Sequence, residues 1–139
     1  MSKVKQKGVA LENSTPVPVT AVIKAKNEAH QIAECIESLR GFAAEIIVVD
    51  DNSSDDTVKI ASDSGARIIH AKSKNRMINE LDKIGFEAAT QPWILRMDAD
   101  ERMTSTLAKA LREAAAENKW AGVQCSRKNI MFGEWARYG

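Results

Sequence analysis

Short apolar runs alternate along the chain with stretches in which apolar residues recur every three or four positions. The runs are rich in valine and isoleucine, as strands buried on both faces are, and they cover residues 19–25, 45–49, 66–70 and 93–97. Helical patterns follow them at residues 28–40, 55–64, 75–90 and 105–117. This alternation predicts right-handed crossovers and a mainly parallel sheet. The expected fold class is α/β, a three-layer α/β/α sandwich.

Cap and turn residues mark the limits of these elements. Asn27 precedes the first helical pattern and is predicted to cap it, and Gly41 stands where that helix would stop. The pair Asp55-Asp56 predicts an acidic first turn for the second helix. A fifth strand is expected at residues 120–125. These signals predict one continuous domain.

The amino-terminal segment differs from the rest of the chain. Residues 1–16 are polar, and Pro16 and Pro18 forbid a regular helix there. We therefore expect a loose tail at residues 1–16 and one domain at residues 17–139.

Charge and composition exclude several classes of protein. The net charge is +1 with scattered cations, so neither nucleic acid nor an anionic membrane surface is expected as the main partner. No apolar run reaches the ~20 residues of a membrane-spanning helix. Cys35 and Cys125 lack metal-ligand spacing and are expected to be reduced, which favours a cytoplasmic location.

The strongest chemical signal is the sequence Asp98-Ala99-Asp100, which ends a predicted strand. In an extended segment both carboxylates would point to one side and Ala99 to the other, letting the backbone approach a diphosphate. A couple of carboxylates with phosphate oxygens is a common set of ligands for Mg²⁺. We therefore predict a divalent metal site at Asp98 and Asp100. The alternative is a solvated acidic turn, with Asp100 and Glu101 beside the N-terminus of the next helix.

A second acidic strand end is Asp50-Asp51. A carboxylate there can accept hydrogen bonds from ribose hydroxyls or from the imide N–H of uracil, although the same residues suit an Asx-rich turn. Asn27 and Glu28 are either cap residues or nucleotide contacts. Because ligands bind outside the carboxyl ends of parallel strands, we expect these residues and Asp98 to face one crevice.

Cationic and histidine side chains give weaker signals of function. Lys72, Lys74 and Arg76 could contact a diphosphate, or form an ordinary solvated surface. His30 and His70 are interpreted as ordinary polar residues. No glycine-rich phosphate loop is present, which excludes P-loop and dinucleotide-binding motifs.

Taken in order, these motifs resemble the family-2 glycosyltransferases of the GT-A fold. The resemblance rests on three segments: VTAVIKAKNEAHQIAECIESL, EIIVVDDNSSDDTVKIASDSGARII and AATQPWILRMDADERMT. It covers residues 19–139, and implies the Rossmann-like half of a GT-A domain. Residues 127–135, RKNIMFGEW, resemble a subgroup that builds bacterial lipopolysaccharide core and related envelope glycans.

The resemblance implies an inverting transfer of a sugar from a nucleotide-sugar, expected to be a UDP-sugar, to a hydroxyl of a glycan or lipid-linked acceptor. Asp51, with Asp50, would contact the base or ribose, and Glu28 would lie beside the nucleotide. Asp98 and Asp100 would form the DXD motif, with Asp100 the direct ligand of Mg²⁺ or Mn²⁺. Work on a lipid-linked acceptor would place the protein at the inner face of the membrane.

Two departures from the family pattern affect this interpretation. Many relatives have a basic residue followed by Asn where this chain has Asp82 and Lys83, which leaves Arg76 as a substitute phosphate contact. Relatives place the general base beyond the position of Gly139, so no catalytic base is assigned. We therefore expect the donor-binding portion of a glycosyltransferase, without the acceptor-binding part.

Other classes of protein remain as alternatives. A non-catalytic nucleotide-binding module would bind without turnover, and a nucleotidyltransferase would need a glycine-rich loop after the first strand. A phosphorelay receiver domain or a DXD phosphatase would carry its acidic residues at the first strand, which here ends in Lys24-Ala25-Lys26.

Overall fold

The computed structural model describes residues 15–74, 78–117, 119–126, 129–131 and 134–136. Four strands and four helices alternate along the main body, and a short hairpin follows them. The strands are β1 (Val17–Ala25), β2 (Ala43–Asp51), β3 (Arg67–Ala71), β4 (Trp93–Asp98), β5 (Asn129–Met131) and β6 (Glu134–Ala136). The helices are α1 (Ile32–Ser38), α2 (Thr57–Asp63), α3 (Ile78–Ala88) and α4 (Ser105–Glu117).

The first four strands form one parallel sheet in the order β3-β2-β1-β4. In this sheet β1 is central, and its residues Lys24 and Ala25 lie opposite Asp98 of β4 and Asp50 of β2. Because every strand runs in the same direction, all four carboxyl ends meet at one edge. Sheet order and register together bring the two acidic strand ends to either side of β1.

Helices cover both faces of the sheet, which confirms the predicted α/β class. On one face, residues such as Ile23 and Val48 join a core with Ile32 and Ile36 of α1, Ala61 of α2 and Ala108 of α4. On the other face, Val22, Ile47 and Val49 pack against Leu81, Ile84 and Ala88 of α3. We call these the α1 face and the α3 face.

Helix α3 lies very close to the sheet at one residue. A Cβ atom built on Gly85 would lie 2.3 Å from Cγ1 of Val22 and 3.0 Å from Cγ2 of Val49. The first distance is shorter than real Cβ contacts and the second is tighter than most, so this approach of helix and sheet requires glycine.

Three sequence predictions are wrong in detail. Asn27 does not cap α1, because the cap position is Gln31 and carries no side-chain cap bond. The second helix begins at Thr57, so Asp55 and Asp56 precede its first turn rather than form it. Residues 120–125 have no strand structure, and the hairpin β5–β6 follows instead. The Asn27 side chain instead accepts a hydrogen bond from the loop after β2, and β5 and β6 form a separate two-stranded sheet.

The predicted tail at residues 1–16 lies almost wholly outside the described residues, while Val17 already belongs to β1. Among the helices that the structure describes, none is long and apolar enough to cross a membrane.

Candidate functional site

The carboxyl edge of the sheet carries acidic residues on both sides of the central strand. Asp50 and Asp51 end β2, and Asp98 ends β4. Successive residues of a strand point to opposite faces. Since Val49 packs on the α3 face and Met97 on the α1 face, Asp51 and Asp98 both belong to the α3 face and Asp50 to the α1 face. The edge therefore presents two carboxylates, those of Asp51 and Asp98, on the same face of the sheet and on opposite sides of β1.

Asp51 is held as an ionised carboxylate. It accepts hydrogen bonds from the backbone N–H of Ser73 at 2.9 Å and from the Ser73 hydroxyl at 3.2 Å, and Nζ of Lys26 lies 3.6 Å away. The bond from the Ser73 N–H, helped by the Lys26 charge, lowers the pKa of Asp51 below its ordinary value. A fixed, ionised acceptor of this kind suits a ribose hydroxyl or a base N–H.

Asp50 is buried on the opposite face. One of its oxygens accepts the backbone N–H of Ser53 at 3.2 Å, and the same oxygen lies 3.8 Å from Nδ1 of His70. Sequence reasoning missed His70, because its position opposite Asp50 depends on the register of β2 with β3. The exposed imidazole of His70 extends the polar surface of this edge.

Asn27 and Glu28 lie at the same edge, where the loop after β1 is bound to the loop after β2. The Asn27 N–H donates to Oγ of Ser53 at 2.9 Å, and Oδ1 of Asn27 accepts the N–H of Ser54 at 2.8 Å. Both Asn27 and Asn52 have a φ of 54°, the left-handed region that asparagine tolerates. The side chain that was expected to cap α1 therefore joins two loops instead.

Glu28 is fixed by the same pair of loops. Its backbone N–H donates to Oγ1 of Thr57 at 2.8 Å, and its carboxylate accepts Nε2 of Gln31 at 3.1 Å. Asp55 accepts the N–H of Ala29 at 3.2 Å and the N–H of Thr57 at 3.0 Å. These bonds place the backbone around Asn27 and Glu28 against the end of β2.

The segment Asp98-Ala99-Asp100 is a turn, so the prediction of an extended segment is wrong. The strand stops at Asp98, and the N–H of Glu101 donates to the Asp98 carbonyl at 3.0 Å. The carboxylate of Glu101 in turn accepts the Asp98 N–H at 2.8 Å. Ala99 is buried in the core of the α1 face, and Asp100 is exposed. The alternative of a solvated acidic turn agrees with this turn and with the exposed Asp100. Its placement beside a helix N-terminus is wrong, since α4 begins at Ser105 with no acidic residue in its first turn.

Asp98 and Asp100 could bind a hard divalent cation only if a bound ligand supplied further oxygen atoms. Within the described ranges no group of three His, Cys, Asp or Glu side chains could hold a metal ion. Asp98 and Asp100 offer two carboxylates, which is the number that Mg²⁺ takes from protein where phosphate oxygens and water complete its octahedron. The donor set therefore suits a metal that arrives with a diphosphate, and does not suit a structural metal.

Beside Asp98 lies a chain of ion pairs on the α3 face. Nζ of Lys24 is 3.6 Å from Oδ1 of Asp82 and 3.8 Å from Oδ1 of Asp98. Nε of Arg96 donates to Oδ2 of Asp82 at 2.8 Å, and its Nη2 lies 3.9 Å from Oδ1 of Asp98. Asp82, the departure noted in the sequence, is therefore a buried counter-ion for two cations.

The remaining residues singled out in the sequence are three cations and the two cysteines. Arg76 lies outside the described residues, and Lys72 and Lys74 are exposed. Both cysteines are free, and burial raises the pKa of the Cys35 thiol to about 12, so it stays protonated.

Comparison with known families assigns this arrangement to a class. The model for glycosyl transferase family 2 matches residues 20–138, so this chain belongs to glycosyl transferase family 2. The lipopolysaccharide core biosynthesis glycosyltransferase LpsC of Rhizobium meliloti is 32% identical over 121 residues, which are 84% of this chain and 44% of LpsC. An uncharacterised glycosyltransferase of Rickettsia felis is 38% identical over 89 residues, which are 64% of this chain and 31% of that protein. The chain thus spans less than half the length of these relatives.

Solved structures agree with this assignment. Glucosyl-3-phosphoglycerate synthase of Mycobacterium tuberculosis, solved with Mn²⁺, UDP and phosphoglyceric acid, superposes with a TM-score of 0.52 and 27% identity. The match covers 67% of this chain and 35% of that enzyme. Mannosyl-3-phosphoglycerate synthase of Rubrobacter xylanophilus, at 21% identity and a TM-score of 0.54, shares the fold. The predicted GT-A fold is confirmed.

Proposed function

We propose that this chain binds the nucleotide-sugar donor, with a divalent cation, for a glycosyltransferase reaction. The observation that carries the proposal is the position of Asp51, Asp98 and Asp100 at one edge of the sheet, on either side of β1. Asp51 would accept from the base or ribose, together with Asp50 on the other face. Asn27 and Glu28 would form the adjoining wall, and Arg76 remains a proposed phosphate contact.

Asp98 and Asp100 would hold Mg²⁺ or Mn²⁺, with Asp100 as the direct ligand because its side chain is exposed within the turn. When bound, such an ion stabilises the negative charge that develops on the departing diphosphate. Glu101 would position Asp98, since its carboxylate accepts the Asp98 N–H. We assign no general base, because Glu101, the carboxylate nearest in sequence to the proposed metal ligands, already holds the turn.

A UDP-sugar is the donor that we propose. Asp51 offers the acceptor that the imide N–H of uracil requires, and the similar synthase of Mycobacterium tuberculosis was solved with UDP and Mn²⁺. The reaction would invert the anomeric centre and transfer the sugar to a hydroxyl of a glycan or lipid-linked acceptor. The similarity to LpsC favours a role in lipopolysaccharide core or related envelope glycans, in the cytoplasm and at the inner face of the membrane.

The second candidate is a nucleotide-binding module without transferase activity. The observation that favours it is that Glu101, the carboxylate nearest in sequence to the proposed metal ligands, already holds the turn, so that no general base is assigned among the described residues. Both candidates predict the same nucleotide site. Release of UDP from a UDP-sugar, with and without candidate acceptors, separates them: turnover supports the enzyme, and binding without turnover supports the module.

The donor site itself is tested by thermal shift. UDP, GDP, ADP and CMP are each added with Mn²⁺ or with EDTA, and the unfolding temperature is recorded. A ligand at a hundred times its Kd stabilises the folded state by about 2.7 kcal/mol, which is easily measured in a domain of this size. We expect a shift with UDP that requires Mn²⁺. The absence of a shift with all four nucleotides, in a folded sample, would contradict the proposal.

A further inference from the structure

We propose that Lys24, at the end of the central strand, is a contact for the diphosphate of the donor, and that Asp82 holds it in position. The inference rests on the proposed donor site and adds a residue to it. Lys24 lies in β1 directly opposite Asp98, so it stands between the proposed nucleoside contact Asp51 and the proposed metal ligands. A diphosphate that links nucleoside and sugar would have to cross this part of the edge.

The ammonium group of Lys24 is largely shielded from water and lies between two carboxylates without a short hydrogen bond to either. Its side chain is 14% exposed, and its two carboxylate neighbours, Asp82 and Asp98, lie at 3.6 and 3.8 Å. Both distances exceed hydrogen-bond length, so the ammonium is held by charge rather than by short hydrogen bonds to these carboxylates. Its three N–H donors are suited to an incoming group with several oxygen acceptors.

Among the described residues, the carboxylate of Asp82 has a hydrogen-bond partner on only one of its two oxygens. Its Oδ2 accepts Nε of Arg96 at 2.8 Å, but its buried Oδ1 has no hydrogen-bond partner among the residues that the structure describes. A single carboxylate thus holds two cations, Lys24 and Arg96, and both of them lie within 4 Å of Asp98 as well. When Asp98 binds a metal ion, the remaining three residues, Lys24, Arg96 and Asp82, carry one net positive charge beside the site.

That positive charge is well placed to attract phosphate oxygens. Charges act more strongly where water is excluded, and Lys24 is much less exposed than Lys26, whose side chain is 61% exposed and pairs with Asp51. Arg96 strengthens the field because its guanidinium is fixed by Asp82 on the same face. The geometry therefore assigns diphosphate recognition to β1 and β4, in addition to any contact from residues 72–76.

The test compares a ligand that has the diphosphate with one that lacks it. UDP and uridine are titrated, with Mg²⁺, into isotope-labelled wild type and Lys24→Met, and the Kd values come from amide chemical shifts. Loss of a charged hydrogen-bonding partner is expected to weaken UDP by about 10- to 100-fold. Uridine affinity should change less than about twofold, because the nucleoside contacts lie at Asp50 and Asp51.

Two further variants complete the test. Lys24→Arg keeps the charge and should restore UDP affinity, while Lys59→Met removes an exposed lysine of α2 and should leave both ligands unchanged. If Lys24→Met does not fold, the side-chain Nζ resonance of Lys24 in wild type decides, since it should shift with UDP and not with uridine.

The outcomes distinguish this inference from the donor-site proposal. A wild type that binds no UDP contradicts the donor site, and the role of Lys24 with it. A wild type that binds UDP, with Lys24→Met unchanged or with UDP and uridine weakened equally, contradicts the role of Lys24 alone.

Discussion

Asp51 is the residue whose environment is most completely specified. Its carboxylate receives two bonds from Ser73 and faces the ammonium of Lys26. None of these partners is a neighbour in sequence, so the site is built by the sheet edge and the loop after β3. A carboxylate held in this way stabilises the fold and stays ionised, so it can accept a hydrogen bond from a ligand.

Asp51 is also expected to make stability depend on pH. Its pKa is lower in the folded than in the unfolded chain, so its contribution is complete above the unfolded pKa and disappears as the pH falls through the folded value. Asp51→Asn should reduce the free energy of unfolding at pH 7 by about 1–2 kcal/mol. Urea denaturation of both proteins should show this difference shrinking below pH ~4.

Asp63→Asn is the matched control for this experiment. Asp63 is an exposed carboxylate that pairs with Lys59 within α2, and such pairs contribute about 0–1 kcal/mol. A stability difference for Asp51→Asn that stays constant or grows in acid would show that the Asp51 carboxylate is not stabilised by its partners.

Single residues were predictable from the sequence where a strand end identifies them. Asp50, Asp51 and Asp98 follow runs of apolar residues, and those runs fix the edge to which they belong. His70 and Lys24 could not be recognised in the same way. Their partners Asp50 and Asp98 come from neighbouring strands, and only the register of the sheet brings each pair together.

At the level of elements, helix α3 is positioned by the absence of a side chain. Gly85 lets the helix approach Val22 and Val49, and the same helix carries Asp82 to the edge of the sheet. A shift of α3 away from the sheet would therefore move the counter-ion of Lys24 and Arg96. The close contact at Gly85 therefore helps to position Asp82 beside Lys24 and Arg96.

Gly85→Ala should destabilise the fold, although alanine is the better helix former. The new Cβ would overlap Val22, and overpacking of a core typically costs about 1–3 kcal/mol, more than the ~1 kcal/mol that helix propensity returns. Gly122→Ala is the control, since no atom of the described residues lies within 4 Å of a Cβ placed there. Denaturant unfolding measures both variants.

Val22→Ala provides the second half of this test. It creates the space that the added methyl group needs, so Gly85→Ala should cost less in the Val22→Ala background than in wild type. Equal costs in both backgrounds, or a Gly85→Ala protein more stable than wild type, would contradict the close approach of α3.

The element pattern was predictable because burial on both faces leaves continuous β-branched runs, and α4 was placed at residues 105–117 as observed. Cap signals were less reliable. Asn27 has the composition of a helix cap, but its side chain binds the loop after β2, a contact that helix-start rules do not contain. The predicted strand at residues 120–125 failed because a short apolar stretch has no partner strand there among the described residues.

At the level of the whole molecule, the sheet order explains how one site can combine residues that are about 50 positions apart in the sequence. Strand β1 separates β2, with Asp50 and Asp51, from β4, with Asp98. The order β3-β2-β1-β4 thus divides the edge into a proposed nucleoside side and a proposed metal side, with Lys24 between them. Among the strands of this sheet β4 pairs only with β1, and Ile94 on it is 42% exposed.

The central claim is that a divalent cation at Asp98 and Asp100 and a nucleotide bind together at this edge. Isothermal titration of UDP into wild type and Asp100→Ala, each with Mn²⁺ and with EDTA, tests it most directly. Asp63→Ala serves as the control for removal of an exposed carboxylate, and melting curves verify that each variant is folded.

Wild type and Asp63→Ala should bind UDP only when Mn²⁺ is present, whereas Asp100→Ala should lose at least about 10-fold in affinity, as expected when a metal ligand is removed. Its melting temperature without ligand should remain that of wild type, because Asp100 is exposed. Equal Mn²⁺-dependent affinity in Asp100→Ala and wild type would contradict the metal site and the account of the donor site built on it.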